Sequence, residues 1–146
     1  MARPSPELLD GARYPFSYEL GTRYADLDPN NHVNNVAMVA AFEDARARFD
    51  FSLGFREAMG DRTAMIVSNA VDYLGQAHFP DPIRMFVGVL DTGRTSWTLA
   101  SVAIQGETVC AFARATMVCV VDGKASPLPD AFRAALETKR LPTVTG

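Results

Sequence analysis

The spacing of apolar residues changes abruptly across "DLDPNNHVNN", and that change restricts the fold more than any other feature of the chain. Before it, Phe16, Tyr18, Leu20, Thr22 and Tyr24 alternate with polar or small neighbours, the period of a strand with one buried side. After it, Val36, Val39, Phe42, Ala45, Phe49 and Leu53 recur at intervals of three and four, the stripe of a long helix with one buried face. Asn34 or Asn35 can cap that helix, and Gly54 can stop it. A half-buried strand feeding a half-buried helix requires a sheet against which both can pack.

Four strand-like runs supply it, at residues 63–74, 83–90, 96–104 and 108–121. The short turns "DTGRT" and "QGE" join the last three as antiparallel neighbours, while "GQAHFPDP" is a longer, irregular joint. The last run is apolar on both faces, as expected of a strand covered on both sides. Asp130 is expected to cap a short helix reaching about Lys139. The plan is α+β: one strand, one long helix, a four-stranded antiparallel meander curled around that helix, and a short C-terminal helix. Residues 1–14 read as a flexible leader, 15–140 as one domain and 141–146 as a tail.

A length of 146 residues suits a single domain with a sizeable core. A net charge of -3 without a basic block argues against nucleic acid as a partner. No apolar run approaches the roughly 20 residues of a membrane helix, and the first residues lack the long apolar segment of a signal peptide, which points to a cytoplasmic protein. Cys110 and Cys119 fall on one strand with opposite parity, which places them on opposite faces and about 30 Å apart. They read as two buried, reduced thiols without a catalytic role.

The polar knot admits two accounts. Asp28, Asn30 and His32 stand at alternate positions just before a helix start, so in an extended approach their side chains point the same way. The helix start offers unpaired N–H groups and a positive dipole end, which favour a carboxylate and any oxyanion formed nearby. An aspartate with an ordinary pKa of about 3.9 is ionised at pH 7 and can act as base or nucleophile. Asp-Pro-Asn-Asn is equally good turn chemistry, so residue types alone leave turn and active site both open. A metal site built on Asp26, Asp28 and His32 has too few histidines for catalytic zinc, and no metal is expected. On the helix, Asp44 and Arg48 form an i,i+4 pair, and Glu43 with Arg46 in reach reads as a surface or interface charge before a pocket residue. His78 belongs to the joint, where it can line a pocket mouth, and Trp97 with Met59, Met65, Met85 and Met117 reads as core.

The run "YADLDPNNHVNNVAMVAAFEDAR", followed by "VDYLGQAHFPDPIRM" and "VCVVDGKASPLP", resembles the hotdog-fold acyl thioesterases, both the 4-hydroxybenzoyl-CoA thioesterase-like group and the plant acyl-carrier-protein thioesterases. The likeness extends from Phe16 to Leu128 and is most specific in the first segment. The second aspartate of the D-x-D motif, catalytic in the first group, falls on Asp28. The plant-type pattern D-x-N-x-H-V-N-N falls on Asp28, Asn30, His32, Val33, Asn34 and Asn35. Two positions depart from it: Asn31 stands where many relatives carry glycine, and Met38 where many carry tyrosine. The resemblance implies a hotdog fold and hydrolysis of an acyl-CoA or acyl-carrier-protein thioester to a carboxylic acid and a thiol. Asp28 is then the catalytic carboxylate, Asn30 and His32 its assistants, and the backbone N–H near Asn35 an oxyanion donor. Met38, Glu43 and His78 are the candidate substrate-binding residues. It implies no cofactor, coenzyme A entering only as part of the substrate, and a homodimer or homotetramer with the site at the subunit interface. Two alternatives are a hotdog enoyl-thioester hydratase, whose motif has a different spacing, and a non-catalytic acyl-CoA-binding domain, against which the retained Asp28 argues.

Overall fold

In the computed structural model, which describes residues 3–142, the opening alternation holds only to Leu20. Strand β1 (Phe16–Leu20) half-buries Phe16, Tyr18 and Leu20 and exposes Ser17 and Glu19. Leu20 pairs with Ile83, the first residue of its partner strand, so nothing remains for Thr22 and Tyr24 to pair with. They lie outside the expected strand, and Tyr24–Asp26 forms a single 3-10 turn.

Helix α1 (Asn35–Ser52) buries Met38, Ala41, Phe42, Ala45 and Phe49. Val36, expected on that stripe, is 80% exposed. At about 100° per residue Val36 sits about 120° around the axis from Phe42, whereas Met38 sits about 40° away, so the buried face runs through Met38 instead. The helix ends at the left-handed Gly54 (φ 76°), and a short α2 (Phe55–Met59) follows.

The sheet comprises β2 (Thr63–Tyr73), β3 (Ile83–Thr92), β4 (Ser96–Gln105), β5 (Thr108–Val121) and the short β6 (Lys124–Ala125), with α3 (Asp130–Glu137) after it. The strand order is β1-β3-β4-β5-β2, every pair antiparallel, with β6 on β5. The expected four-stranded meander is therefore a meander of three. The long joint after β2 carries the chain across the sheet, leaving β2 at the far edge against β5.

Register slips at three places, Ile66/Ser68, Val89/Asp91 and Ala103/Ile104, and such bulges bend the sheet around α1. The third makes Cys110 the unpaired extra residue of β5, which resets the facing of the strand. Cys110 and Cys119 consequently join one core cluster rather than lying on opposite faces, and both are free thiols.

That cluster fills the space between α1 and the concave face, where Met85, Val87, Val89, Trp97 and Leu99 meet Phe42, Ala45 and Phe49. Ala111, Ala113 and Ala115 contribute small side chains there, which leaves room for the helix. Trp97, Met59, Met85 and Met117 are buried as expected, but Met65, on edge strand β2, is 55% exposed. A second cluster on the convex face joins Leu8 and Tyr14 to Ala100, Val102 and Phe112, so β5 is covered on both sides. The leader is thus docked from Leu8 onward rather than loose, with Tyr14 Oη donating to the Leu8 carbonyl at 2.6 Å. Asp130 opens α3 without capping it; Pro129 holds the cap position. Leu141 N–H donates to the Val89 carbonyl, and Gly88 leaves the space its side chain needs. Met1, Ala2 and residues 143–146 lie outside the described residues. Among those described, no helix is long and apolar enough to cross a membrane.

Candidate functional site

The polar knot folds as a tight hairpin rather than an extended approach. Leu27 and Val33 form an antiparallel bridge, Asp28 N–H donates to the His32 carbonyl at 2.8 Å, and Asn31 N–H donates to the Asp28 carbonyl at 2.9 Å. Asn31 takes the left-handed conformation (φ 62°) that the turn demands, a position asparagine tolerates better than other non-glycine residues. Val33 N–H donates to the Ala77 carbonyl at 2.9 Å, which ties the hairpin to the joint after β2.

Within this turn Asp28 is held by the main chain. Its Oδ1 accepts from Asn30 N–H at 2.9 Å and from His32 N–H at 3.1 Å. Oδ2 has no protein partner among the described residues. Asn30 and His32 therefore support Asp28 through their backbone amides. The three side chains do not converge as the alternate spacing suggested, because a turn, unlike a strand, does not keep every second residue on one side. Asn30 is exposed, and the His32 ring meets His78 edge to face at 5.0 Å. The chain's only two histidines are thus neighbours. His78 is placed by Gln105, whose Oε1 accepts from His78 N–H and whose Nε2 donates to the His78 and Asp81 carbonyls, each at 2.8 Å.

Asn34 connects the hairpin to α1. Its Oδ1 accepts from Ala37 N–H at 2.7 Å as the helix cap, while its Nδ2 and its own N–H both donate to the Asp26 carbonyl at 2.8 Å. With Ala37 capped and Met38 N–H bonded to the Asn34 carbonyl, the N–H groups of Asn35 and Val36 are the ones left without a partner among the described residues. Asp26, Asp28 and Asn34 to Ala37 line one hollow of about 480 Å³, so the two residues that carry the free N–H groups are part of its lining. Arg23 donates to both oxygens of Asp26 at 3.0 and 2.8 Å and holds that carboxyl below its ordinary range, so Asp26 is ionised but engaged.

The other expected pocket residues lie elsewhere. Met38 is 4% exposed, in the core beneath the helix. Glu43 is exposed and lines a separate cavity with Arg46 and Asp50. Arg46, read from the sequence as part of a surface charge pair, is buried, whereas Arg48 does pair with Asp44, at 2.8 Å. Residue patterns also missed Val36 N–H, a main-chain donor, and Tyr73, whose hydroxyl donates to the Asn35 carbonyl at 3.4 Å from the end of β2. The position of Val36 second in a capped helix was the signal for the first; nothing in the sequence pointed to the second. Among the described residues no group of three or more His, Cys, Asp and Glu side chains is placed to hold a metal ion.

A family model described as the thioesterase-like superfamily matches residues 22–136. No curated protein matches the sequence. Among solved structures, a thioesterase complexed with coenzyme A and zinc from Thermus thermophilus is 26% identical, with 86% of this chain and 94% of that one covered at a TM-score of 0.77. A predicted thioesterase from Bacillus stearothermophilus is also 26% identical, over 88% and 98% of the two chains at 0.77. A protein from Pseudomonas aeruginosa is 25% identical over 90% and 95%, at 0.78.

Proposed function

The chain belongs to the thioesterase-like superfamily, and we propose that it hydrolyses acyl thioesters of coenzyme A or acyl carrier protein with Asp28 as the catalytic carboxylate. One observation carries this reading: Asp28, its Oδ1 fixed by two backbone amides and its Oδ2 without a partner among the described residues, lines the same hollow as Asn35 and Val36, whose N–H groups are unpartnered. A thioester bound there offers its carbonyl carbon to Oδ2 and its oxygen to the helix start. Oδ2 either attacks that carbon, so that the thiolate departs and water then hydrolyses the resulting anhydride to the acid and free Asp28, or takes the proton of the water that attacks it, and the thiolate departs directly. Either route places negative charge on the former carbonyl oxygen, where aligned N–H donors and the positive end of α1 are each strongest. A thiolate leaves readily, so no general acid is required. His32 and His78 are not among the residues that line the hollow, and the proposed route gives neither a step. The subgroup resemblance to the 4-hydroxybenzoyl-CoA and plant acyl-carrier-protein enzymes supports the same assignment of Asp28.

The test is release of free thiol from short-chain, long-chain and aromatic acyl-CoAs by the purified protein. Thiol production with at least one of them is the expected result. Water addition to crotonyl-CoA without thiol release would overturn the proposal in favour of a hydratase. The reaction as proposed needs no resident cofactor.

We also propose that the protein works as a homo-oligomer, a dimer or a tetramer. Strand β2 ends the sheet with an unpaired edge, and Met65, Ile66 and Val67 on it are 55%, 47% and 55% exposed. An edge of that length and apolarity favours pairing with another chain. Light scattering is expected to give at least twice the 15.9 kDa chain mass. A stable monomer at micromolar concentration would contradict it.

A further inference from the structure

Two segments close the convex side of the sheet, and they hold on in different ways. Residues 139–141 are hydrogen-bonded to β3, Val89 N–H donating to the Lys139 carbonyl and Leu141 N–H to the Val89 carbonyl. The leader has no such tie. Among the described residues every hydrogen bond of residues 3–15 stays inside the leader: the N–H groups of Leu8, Asp10, Arg13 and Tyr14 close its two turns, Ala12 N–H donates to the Asp10 carboxylate, and Tyr14 Oη donates to the Leu8 carbonyl. No ion pair among the described residues joins it to the sheet either. Apolar contact alone holds it, with Leu8 and Tyr14 clustered on Ala100, Val102 and Phe112. Gly11 lies so close to Phe86 that a Cβ there would come within 2.6 Å of the ring. A segment bonded in this way can lift off without stranding a buried donor or acceptor, and loses only its apolar contacts.

What lies beneath suits another copy of the same chain. The patch is the apolar centre of an antiparallel sheet, and the surround on that face carries both signs. Glu19 and Arg84 pair at 3.0 Å on the β1–β3 side. On the β2–β5 side stand Asp72, which faces Phe112 across the strands, and the exposed Arg114. A face made for a strongly acidic or basic partner would carry one sign, whereas a mixed surround can meet its own complement across a twofold axis. Two sheets stacked face to face lie about 10 Å apart, and the docked leader occupies that space. We propose that the convex face is a second self-association surface of this chain and that the leader is a detachable cover that keeps it shut, so that assembly through β2 stops at two chains. The inference rests on β2 pairing only for the mass of the parent; the effect of freeing the leader is independent of it.

Light scattering and limited trypsinolysis of full-length variants test it. Leu8→Asp puts a charge into the contact and should free the leader, speeding cleavage after Arg13 about tenfold and doubling the mass from two chains to four. Gly11→Leu, which drives a side chain into the Phe86 ring, should do the same without a new charge, and stands in should the aspartate unfold the domain. Leu8→Met should keep the parental mass. Val102→Lys added to Leu8→Asp charges the bared face and should restore that mass. Trp97, the only tryptophan, is buried in the cluster on the concave side, so an unchanged emission maximum shows that the domain stays folded. Four results overturn the proposal: cleavage and mass unchanged in both Leu8→Asp and Gly11→Leu, a freed leader with the parental mass, open-ended aggregation or a doubled mass that survives Val102→Lys, and a parent already of four chains with its leader docked. A monomeric parent contradicts β2 pairing alone, and the doubling is then read from one chain to two.

Discussion

Asp28→Asn is expected to lower the rate constant for thioester hydrolysis by about 10³-fold while leaving the fold intact, a loss equivalent to about 4 kcal/mol of transition-state stabilisation. The two consequences separate because Asp28 has two jobs on two oxygens. Oδ1 accepts the Asn30 and His32 amides and shapes the turn, and an asparagine oxygen can accept the same pair. Oδ2 carries the chemistry in the proposed reaction, and an amide nitrogen there can neither attack a carbonyl nor take a proton. Asp28→Ala is the poorer experiment, since it removes the turn and the chemistry together. Free-thiol release measured against a urea unfolding midpoint distinguishes the outcomes. If Asp28→Asn keeps its rate within about threefold of the parent at unchanged stability, Asp28 is a turn residue and nothing more.

Asp50→Asn is expected to stabilise the protein at pH 8 by about 2 kcal/mol more than it does at pH 4. Burial pushes the Asp50 carboxyl up from 3.8 to about 7, opposed by the nearby Trp97 indole and the Arg46 guanidinium. A carboxyl whose folded pKa lies above its unfolded one binds its proton more tightly in the fold. Its favourable contribution is therefore complete below the unfolded value and is lost as pH rises through about 7. The full shift corresponds to an upper limit of about 4 kcal/mol. Arg46 reduces it, because removing the Asp50 charge leaves a buried cation less compensated; Glu43, the first of the two carboxylates acting on it, remains. Urea unfolding of both proteins at pH 4 and pH 8 measures the difference. A gap independent of pH would show that Asp50 does not titrate with folding.

The two predictions also mark what a sequence can and cannot disclose. The helix and the strands were readable because period two and period 3.6 survive in any environment that buries one face. The limits of β1 were not, since they depend on where β3 begins, and the placing of β2 depends on a joint whose course no local pattern records. At the candidate site the motif pointed to Asp28 and to the helix start, and both line the hollow. It pointed to the side chains of Asn30 and His32, whereas the contacts that orient Asp28 come from their main-chain amides, which every residue type possesses. Asp50 escaped notice, and Arg46 was read as a surface partner of Glu43, because charges on successive turns of a helix ordinarily face water. Only the closing of β2 and β5 beside α1 takes these two out of it.

The strand order has a consequence during synthesis. β2 is complete at Tyr73, but the one strand that pairs with it among the described residues runs to Val121, about 50 residues later, which at roughly 5–20 residues per second leaves β2 unpaired for several seconds. Over that interval Met65, Ile66 and Val67 lie next to one another in an unpaired segment whose only charge is Asp72, near its end, and crowding among nascent chains competes with the arrival of β5. The yield of folded protein is then set by a race between translation and association, and not by the depth of the finished core.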